Sequence, residues 1–366
     1  MTTIADILSA IDRLAPWRLA QDWDNCGLML GDPARPAHRM LISLDVSERI
    51  CDEAERRGAD VLLAHHPLFF RPPARLTTET RPGRLALRLA GQGRAVIAAH
   101  TNLDAADGGI CDILAEALGV GGLLPLRASA AETRTKVVVF VPAADLEAVR
   151  SAAFAAGAGQ IGHYAECSFA AAGEGTFLPG AAAHPAIGQI GRRNEAAERR
   201  LEVLVPQARL AAVVAAIGRA HPYEEPAIDI YPLHGLPGAA GVGRVGTFAK
   251  PMRLAALADE TKRVLGLGAI PYAGDPDLAV ERVVVVAGGG GGLATEIAAA
   301  GAQAVVTGEM KYHEIEDLAA QGIGVILGGH HRTERVPLMV WAERHAAAFG
   351  VEVLRSECEE DSVQVR

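Results

Sequence analysis

The stretch of sequence that decides the fold is residues 59–70, which read ADVLLAHHPLFF. Its apolar part, Val61–Ala64, predicts a short parallel strand that is buried on both faces. Two adjacent histidines, His65 and His66, follow this strand directly. Neutral imidazole is the commonest protein ligand for zinc, iron and similar ions, so the pair suggests a metal site.

The two histidines allow more than one interpretation. Successive side chains of an extended backbone point to opposite faces, so His65 and His66 are expected to bind different metal ions, which predicts a two-metal site. In the alternative, one histidine is a hydrogen-bonded core or capping group and the other is solvated. A histidine pair without further context more often has this second explanation.

The elements around this strand predict an α/β fold. A strand over residues 40–44 and a helix over residues 47–57 precede it and form a strand–helix–strand unit with it. Such a unit implies a right-handed crossover and a mostly parallel sheet. The same alternation returns after residue 246, with a helix over residues 252–265 and later apolar strands.

Metal-ligand side chains follow three of the predicted strands. The carboxyl ends of parallel strands meet at one edge, where an open α/β sheet binds its ligands, so these side chains are expected to converge. Mixed histidine and carboxylate sets suit zinc, iron or manganese, and a pair of such ions lowers the pKa of a bound water. Metal-dependent hydrolysis is therefore the predicted chemistry. The three groups are His65 with His66, His100 with Asp104, and His330 with His331 and Glu334.

The middle of the chain has a different pattern, which predicts a ferredoxin-like α+β domain inserted into the host fold. The stretch 119–123 is predicted to end a helix and form a linker, and the stretch 235–246 is predicted to be a glycine-rich hinge. The predicted boundaries are 1–127 for the N-terminal part of the metal domain, 128–236 for the insert and 237–366 for the C-terminal part. The strands of the insert are predicted at 136–141, within 161–177, at 200–205 and at 228–231, and its helices at 144–156 and 207–219.

Composition excludes several classes of protein. The 366 residues carry a formal charge of -9 without a dense Lys or Arg run, which makes nucleic-acid binding unlikely. Five scattered cysteines without CxxC spacing argue against a disulfide framework and fit a reducing cytosol. A catalytic cysteine stays open, although Cys51 and Cys111 are predicted to fill helix faces. No apolar run is long enough for a membrane span, so a cytoplasmic protein is expected.

Two further motifs have alternative interpretations. The five glycines 288–292 follow a strand and precede a helix, so they predict either a phosphate-binding turn or a tight turn between close backbones. Glu309, Lys311 and His313 follow another strand and are predicted to contact the metal ligands or the substrate, or else to form a solvated helix start. A Ser-His-Asp triad is not expected because the sequence has no GxSxG elbow.

Taken together in their order, the motifs resemble the GTP cyclohydrolase 1 type 2 homologue family, also called the dinuclear-metal-centre hexameric proteins. The resemblance covers about residues 1–125 and 240–366, and the segment between them is similar to the PII-like domain that is inserted in the longer members. The motifs are DWDNCGLMLGD, LDVS, ADVLLAHHPLFF, AHTNLDAADGG, GEMKYHE and GGHHRTE.

The resemblance implies a ligand set, an assembly and an activity. It implies two divalent ions per subunit, a toroidal homohexamer and hydrolysis of a small-molecule substrate such as a nucleotide, as in GTP cyclohydrolase. His330 is preferred to His331 because it precedes Glu334 by four residues. The alternative is a metal-handling or regulatory hexamer, a carrier or sensor, without catalysis. The implied ligands are His65, His66, Asp104, His330 and Glu334, with His100 as a further histidine in or beside the site.

Overall fold

The computed structural model of the protein describes residues 1–129, 134–161, 164–233 and 239–364. The chain divides into two compact units. The first combines Met1–Ser129 with Ala239–Arg366, and the second is Ala130–Gly238. Helices alternate with parallel and mixed sheets, so the predicted α/β class is confirmed.

The first unit contains two sheets with helices around them. Its strands are β1 (Gly27–Leu30), β2 (Arg39–Ser43), β3 (Val61–Ala64), β4 (Ala95–Ala98), β5 (Gly121–Ala128), β10 (Gly241–Arg253), β11 (Tyr272–Ala273), β12 (Ala279–Gly289), β13 (Ala304–Glu309), β14 (Gly324–Leu327) and β15 (Glu352–Arg355). Its helices are α1 (Ile4–Leu14), α2 (Glu48–Arg57), α3 (Arg81–Gly91), α4 (Thr101–Ala105), α5 (Ile110–Ala117), α8 (Leu254–Leu265), α9 (Ala294–Ala299), α10 (Tyr312–Ala320) and α11 (His330–His345).

The first sheet has the strand order β1-β4-β3-β2-β15 and contains the strand predicted from residues 59–70. Strands β4, β3, β2 and β15 run parallel to one another, and β1 pairs antiparallel with β4. All four residues of β3 are buried, as their apolar character predicts. Helix α2 begins after Ser47, whose side chain accepts a hydrogen bond from the Ile50 amide, and ends at Gly58 in the left-handed conformation.

The second sheet has the order β11-β14-β13-β12-β10-β5 and is mixed. Strands β12, β13 and β14 are parallel, whereas the pairings of β11, β10 and β5 are antiparallel. The expectation of a mostly parallel host fold is therefore right for the first sheet and wrong for the second.

Parts of the predicted linker and of the predicted hinge are strands in the structure. Residues 235–238 of the predicted hinge lie outside the described residues. Strand β5 begins at Gly121 and β10 at Gly241, and the two strands pair with each other. Their glycines allow close approach of the two strands. A Cβ atom on Gly241 would lie 2.7 Å from the Cβ of Pro125, and one on Gly246 would lie 2.6 Å from the carbonyl oxygen of Gly121.

The elements of the second unit are β6 (Arg134–Pro142), α6 (Leu146–Ala155), β7 (Ser168–Phe177), β8 (Asn194–Pro206), α7 (Leu210–Ala220) and β9 (Ile228–Pro232). Its four strands form one antiparallel sheet with the order β7-β8-β6-β9. An apolar cluster joins helices α6 and α7 to one face of this sheet, and it includes Val137, Val149, Leu201 and Val213.

Among the described residues, none of the helices combines the length and the apolar character that crossing a membrane requires.

Candidate metal centre

The three groups of predicted ligands meet in the first unit. His65 and His66 follow β3, His100 follows β4, Asp104 lies in α4, and His330 and Glu334 lie in the first turns of α11. The ring centroids are 5.1 Å apart for His65 and His100, 5.5 Å for His66 and His100, and 5.4 Å for His66 and His330. Convergence of these distant segments is thus a feature of the structure.

The expectation that His65 and His66 point apart is wrong. Strand β3 ends at Ala64 and the chain bends at both histidines, so the alternation of an extended strand does not continue through them. Their ring centroids are 5.3 Å apart.

Two groups of side chains in this cluster could each hold a metal ion. His65, His66 and His100 form one group, and His66, His330 and Glu334 form the other. Within each group the potential ligand atoms all lie within 4.8 Å of one another. His66 belongs to both groups, so the two are adjacent.

Glu334 is the carboxylate that contacts most of the imidazoles. Its Oε2 lies 3.0 Å from Nε2 of His66, and its Oε1 lies 3.1 Å from Nε2 of His330 and 3.8 Å from Nε2 of His65. The backbone opposite this carboxylate is Gly288, where an added Cβ atom would overlap with Glu334 Oε1 and lie 2.9 Å from its Cδ. The absence of a side chain at position 288 thus creates the space that the carboxylate fills.

Several buried polar atoms of the cluster lack hydrogen-bond partners among the described residues. They are Nε2 of His65, Oδ1 of Asp104 and Oε2 of Glu334. His65 Nε2 lies 3.5 Å from Asp104 Oδ1, and Glu334 Oε2 is close to His66 without the geometry of a hydrogen bond. A buried polar atom without a partner is costly, and metal coordination would satisfy all three. The residues present therefore fit a divalent metal centre.

Each of the four imidazoles has a partner for its other ring nitrogen. Such partners hold a metal-binding imidazole in one orientation and leave its other nitrogen free to bind the ion. In each case Nδ1 contacts the outer partner: His65 lies 2.8 Å from the carbonyl oxygen of Ala99, His66 lies 2.9 Å from Asp45, His100 lies 2.9 Å from Asp24, and His330 lies 3.2 Å from Glu309.

Asp45 and Asp24 are functional candidates that the sequence did not single out. Asp45 comes two residues after β2, so the rule that ligands gather at the carboxyl ends of parallel strands could have identified it. Asp24 precedes β1, which is antiparallel to its neighbour, and no comparable rule applies there. Its carboxylate also accepts a hydrogen bond from the backbone amide of Thr101 at 3.0 Å.

The charged groups of the cluster shift one another's pKa values. Burial alone would lower the pKa of His66, but the carboxylates of Asp45 and Glu334 outweigh burial and raise the pKa to about 10. The hydrogen bond to Glu334 likewise raises the pKa of His330 to about 9. Burial raises the pKa of Asp104, whereas contacts with the imidazoles hold the pKa of Glu334 well below its ordinary value despite burial.

A buried ion pair positions the segment that carries Asp104. Arg244 on β10 is 1% exposed and contacts both oxygens of Asp112 on α5 at 2.6 Å. The same guanidinium donates to the carbonyl oxygen of Ala106 at 2.6 Å and to that of Gly241 at 2.7 Å. Arg244 thereby ties the turn after α4 to strand β10.

The remaining predicted residues differ in their surroundings. Glu309 contacts His330, as described above. Lys311 precedes α10, and its amide donates to Glu314 at 3.2 Å. The side chain of His313 is 91% exposed and lies 3.7 Å from Glu316. His331 contacts none of the cluster residues in the described ion pairs, and its Nδ1 lies 3.9 Å from Asp361.

The glycine stretch 288–292 comprises the last two residues of β12 and the tight turn that follows them. The amide of Gly290 donates to the carbonyl oxygen of Glu309 at 3.0 Å, and the amide of Gly292 donates to the carboxylate of Glu314 at 2.7 Å. An added Cβ atom on Gly290 would lie 2.6 Å from Oγ1 of Thr307. Occupied amides and a nearby carboxylate favour close packing over phosphate binding at this turn.

A cavity of about 480 Å³ opens onto the cluster. Its walls include His66, His100, Asp104, His330 and Glu334. A space of this size is typical of small-molecule sites.

A family model matches nearly the whole chain. It is the model of Duf34/NIF3, NGG1p interacting factor 3, and it matches residues 2–362. The chain belongs to the DUF34/NIF3 family. The predicted resemblance to GTP cyclohydrolase 1 type 2 homologues is confirmed by relatives that carry this name.

Two relatives of this DUF34/NIF3 protein are named GTP cyclohydrolase 1 type 2 homolog. The protein from Mycobacterium bovis is 39% identical over 357 residues, which cover 96% of this chain and 91% of the relative. The protein from Bacillus subtilis is 36% identical over 355 residues, which cover 96% of this chain and 95% of the relative.

Solved structures show the same fold. A Bacillus cereus protein related to NIF3 is 35% identical, with a TM-score of 0.71 over 100% of this chain and 99% of its own. The Staphylococcus aureus protein SA1388 is 24% identical, with a TM-score of 0.78 over 100% and 99% of the two chains. The latter similarity concerns the fold alone.

Proposed function

We propose that this DUF34/NIF3 protein binds two divalent metal ions and uses them to hydrolyse a small-molecule substrate. The name of its relatives, GTP cyclohydrolase 1 type 2 homolog, supports a heterocyclic ring such as that of a purine nucleotide as the group that is opened. Zinc, iron and manganese all accept the histidine and carboxylate ligands of the cluster.

The single observation that carries the proposal is the set of buried polar atoms without hydrogen-bond partners, on His65, Asp104 and Glu334. Nε2 of His65 lies 3.5 Å from Oδ1 of Asp104 and 3.8 Å from Oε1 of Glu334, and these distances are too long for hydrogen bonds. Positive ions placed among them would satisfy each one. The proposed ligands are therefore His65, His66, Asp104, His330 and Glu334, with His100 beside them.

The residues of the chain have distinct roles in this proposal. When bound, a pair of divalent ions lowers the pKa of water and so supplies a nucleophile near neutral pH. Glu334 lies between His66 and His330, where it belongs to the second ligand group and contacts His65 of the first. Asp24 orients His100, which lines the cavity and is therefore placed to hold or move a proton. Lys311 and His313 remain proposed substrate contacts.

The proposal includes an assembly and a role for the second unit. We propose a homohexamer in the cytoplasm, and we propose that the second unit is an inserted PII-like, ferredoxin-like domain. The order of its elements, strand, helix, strand, strand, helix, strand, supports this assignment.

The test combines metal content with turnover. Protein loaded with zinc, iron or manganese is incubated with GTP, and products are separated by chromatography. Glu334→Gln is expected to lose metal and turnover together, whereas Glu343→Gln, an exposed glutamate on the same helix that pairs with Arg355, is expected to retain both.

The outcomes separate the candidate functions. Metal-dependent turnover that is lost in the Glu334 variant supports the hydrolase. Tight and reversible metal exchange without a product from GTP or related purines contradicts the hydrolase and favours a metal carrier or sensor. Protein that takes up no divalent metal contradicts both.

A further inference from the structure

Two exposed aromatic side chains form a surface at the cavity beside the metal cluster. Trp23 and Phe70 stack with ring centroids 5.6 Å apart and an angle of 23° between their planes. They are 58% and 53% exposed, and both line the cavity. We refer to this pair as the aromatic surface.

The aromatic surface continues directly into the predicted metal site. The centroid of the His100 ring lies 6.2 Å from that of Trp23 and 6.2 Å from that of Phe70, and it meets both rings edge-on. His100 is itself packed edge-on against His65 and His66. A flat molecule lying on the aromatic surface would therefore have one edge close to the imidazoles.

The same cavity contains a positive charge. Arg127 on β5 lines it and is the sole Arg or Lys among the described lining residues. Its guanidinium lies 2.9 Å from the carboxylate of Glu296, and both side chains are partly exposed. An exposed ion pair of this kind is weak, so an anionic group of a ligand can compete with Glu296 for Arg127.

We propose that the aromatic surface of Trp23 and Phe70 binds the ring of a planar heteroaromatic ligand, and that Arg127 binds an anionic substituent of the same ligand. This inference rests on the proposed function, because it places the ring beside the ions that would act on it. Aromatic side chains stack on the flat face that every base offers, and each such contact strengthens binding.

The cavity also limits the ligand. Its volume of about 480 Å³ is large enough for a nucleoside. Among its described lining residues, Arg127 is the side chain that is always positively charged, so an anionic substituent is expected to lie near it.

Equilibrium dialysis with zinc-loaded protein tests the inference, with guanosine, GTP and ribose 5-phosphate as probes. Trp23→Leu is expected to weaken the binding of guanosine and of GTP about ten-fold, and Trp23→Phe is expected to restore most of it. Arg127→Gln is expected to weaken GTP binding with little effect on guanosine. Tyr272→Leu is the control, because Tyr272 is an exposed aromatic residue outside the cavity lining.

The measurement includes the zinc content and the molecular mass of each variant. Normal zinc content with unchanged guanosine binding in Trp23→Leu overturns this inference and leaves the metal centre intact. A change of oligomer mass in Trp23→Leu with unchanged probe binding also overturns it, since the aromatic surface would then be a subunit contact. Loss of zinc from the unsubstituted protein contradicts the proposed function itself.

Discussion

Replacing Gly288 by alanine tests the geometry of the candidate metal centre. The new Cβ atom would lie 2.9 Å from Cδ of Glu334 and 3.4 Å from Nε2 of His330, and it would overlap with the nearer carboxylate oxygen. Glu334 is 3% exposed and held by three imidazoles, so its carboxylate has little room to turn away.

The expected magnitude follows from these contacts. Carbon and oxygen atoms that are not bonded to each other rarely approach closer than about 3.2 Å, so the carboxylate must shift by about 1 Å. Metal–ligand distances tolerate deviations of only about 0.2 Å, so the shift removes Glu334 as a ligand. Gly288 also has φ +65°, where alanine costs about 1–2 kcal/mol of folding free energy.

A matched control separates the two effects. Gly292 has φ +78° and no atom within 4 Å of its added Cβ, so Gly292→Ala carries the backbone strain without the collision. Zinc content and thermal unfolding of both variants are compared with the parent protein. We expect similar loss of stability in both and loss of zinc only in Gly288→Ala. Equal zinc content in the two variants would refute the reasoning.

Three further predictions concern the support of the site and of the fold. Asp45→Asn removes the carboxylate at His66 and is expected to lower zinc affinity about 10- to 100-fold, measured by competition with a chelator. Arg244→Met leaves Asp112 buried without its partner and is expected to cost about 3–5 kcal/mol in urea unfolding. Glu53 has a pKa lowered to about 2 from 4.5, because its hydrogen bonds outweigh burial. The ionised carboxylate therefore stabilises the folded state above pH 4.5, and this stabilisation is lost as the pH falls toward 2. Between these pH values the free energy of unfolding of Glu53→Gln should change by about 3 kcal/mol less than that of the parent protein.

Each of these predictions has a contradicting result. Asp277→Asn, at an exposed aspartate, is the control. If Asp45→Asn binds zinc as tightly as this control, the Asp45 carboxylate has no role in metal binding. An Arg244→Met variant as stable as the parent would show that the buried ion pair contributes nothing, and the double variant with Asp112→Leu is expected to recover stability. If the free energy of unfolding of Glu53→Gln depends on pH between 4.5 and 2 as that of the parent protein does, other groups cause this dependence.

The segments that a local pattern determines could be predicted from the sequence. The apolar residues of β3 are buried as expected, and the histidines that follow it lie in the cluster. The strand-end rule also predicted the approach of His100 and Glu334 to them. Hydrophobic periodicity and the positions of strand ends are local properties of the sequence, and they were sufficient to predict which segments meet at the cluster.

Features that depend on a neighbouring segment could not be predicted in the same way. The glycines of β10 indicated a hinge, because the close approach of β5 that requires them is not visible in the local sequence. The roles of Asp24 and Gly288 arise from contacts with His100 and Glu334, which are distant along the chain. The strand was predicted to end at Ala64, as observed, but the bend of the chain at His65 and His66 could not be predicted from the local sequence.

The most direct test of the central claim is to locate the metal by anomalous diffraction from crystals of protein purified without added metal. We expect two anomalous peaks per chain, roughly 3.5–4 Å apart, one beside His65, His66 and His100 and the other beside His66, His330 and Glu334. Absence of any peak at these residues, in protein that elemental analysis finds free of bound metal, would contradict the account.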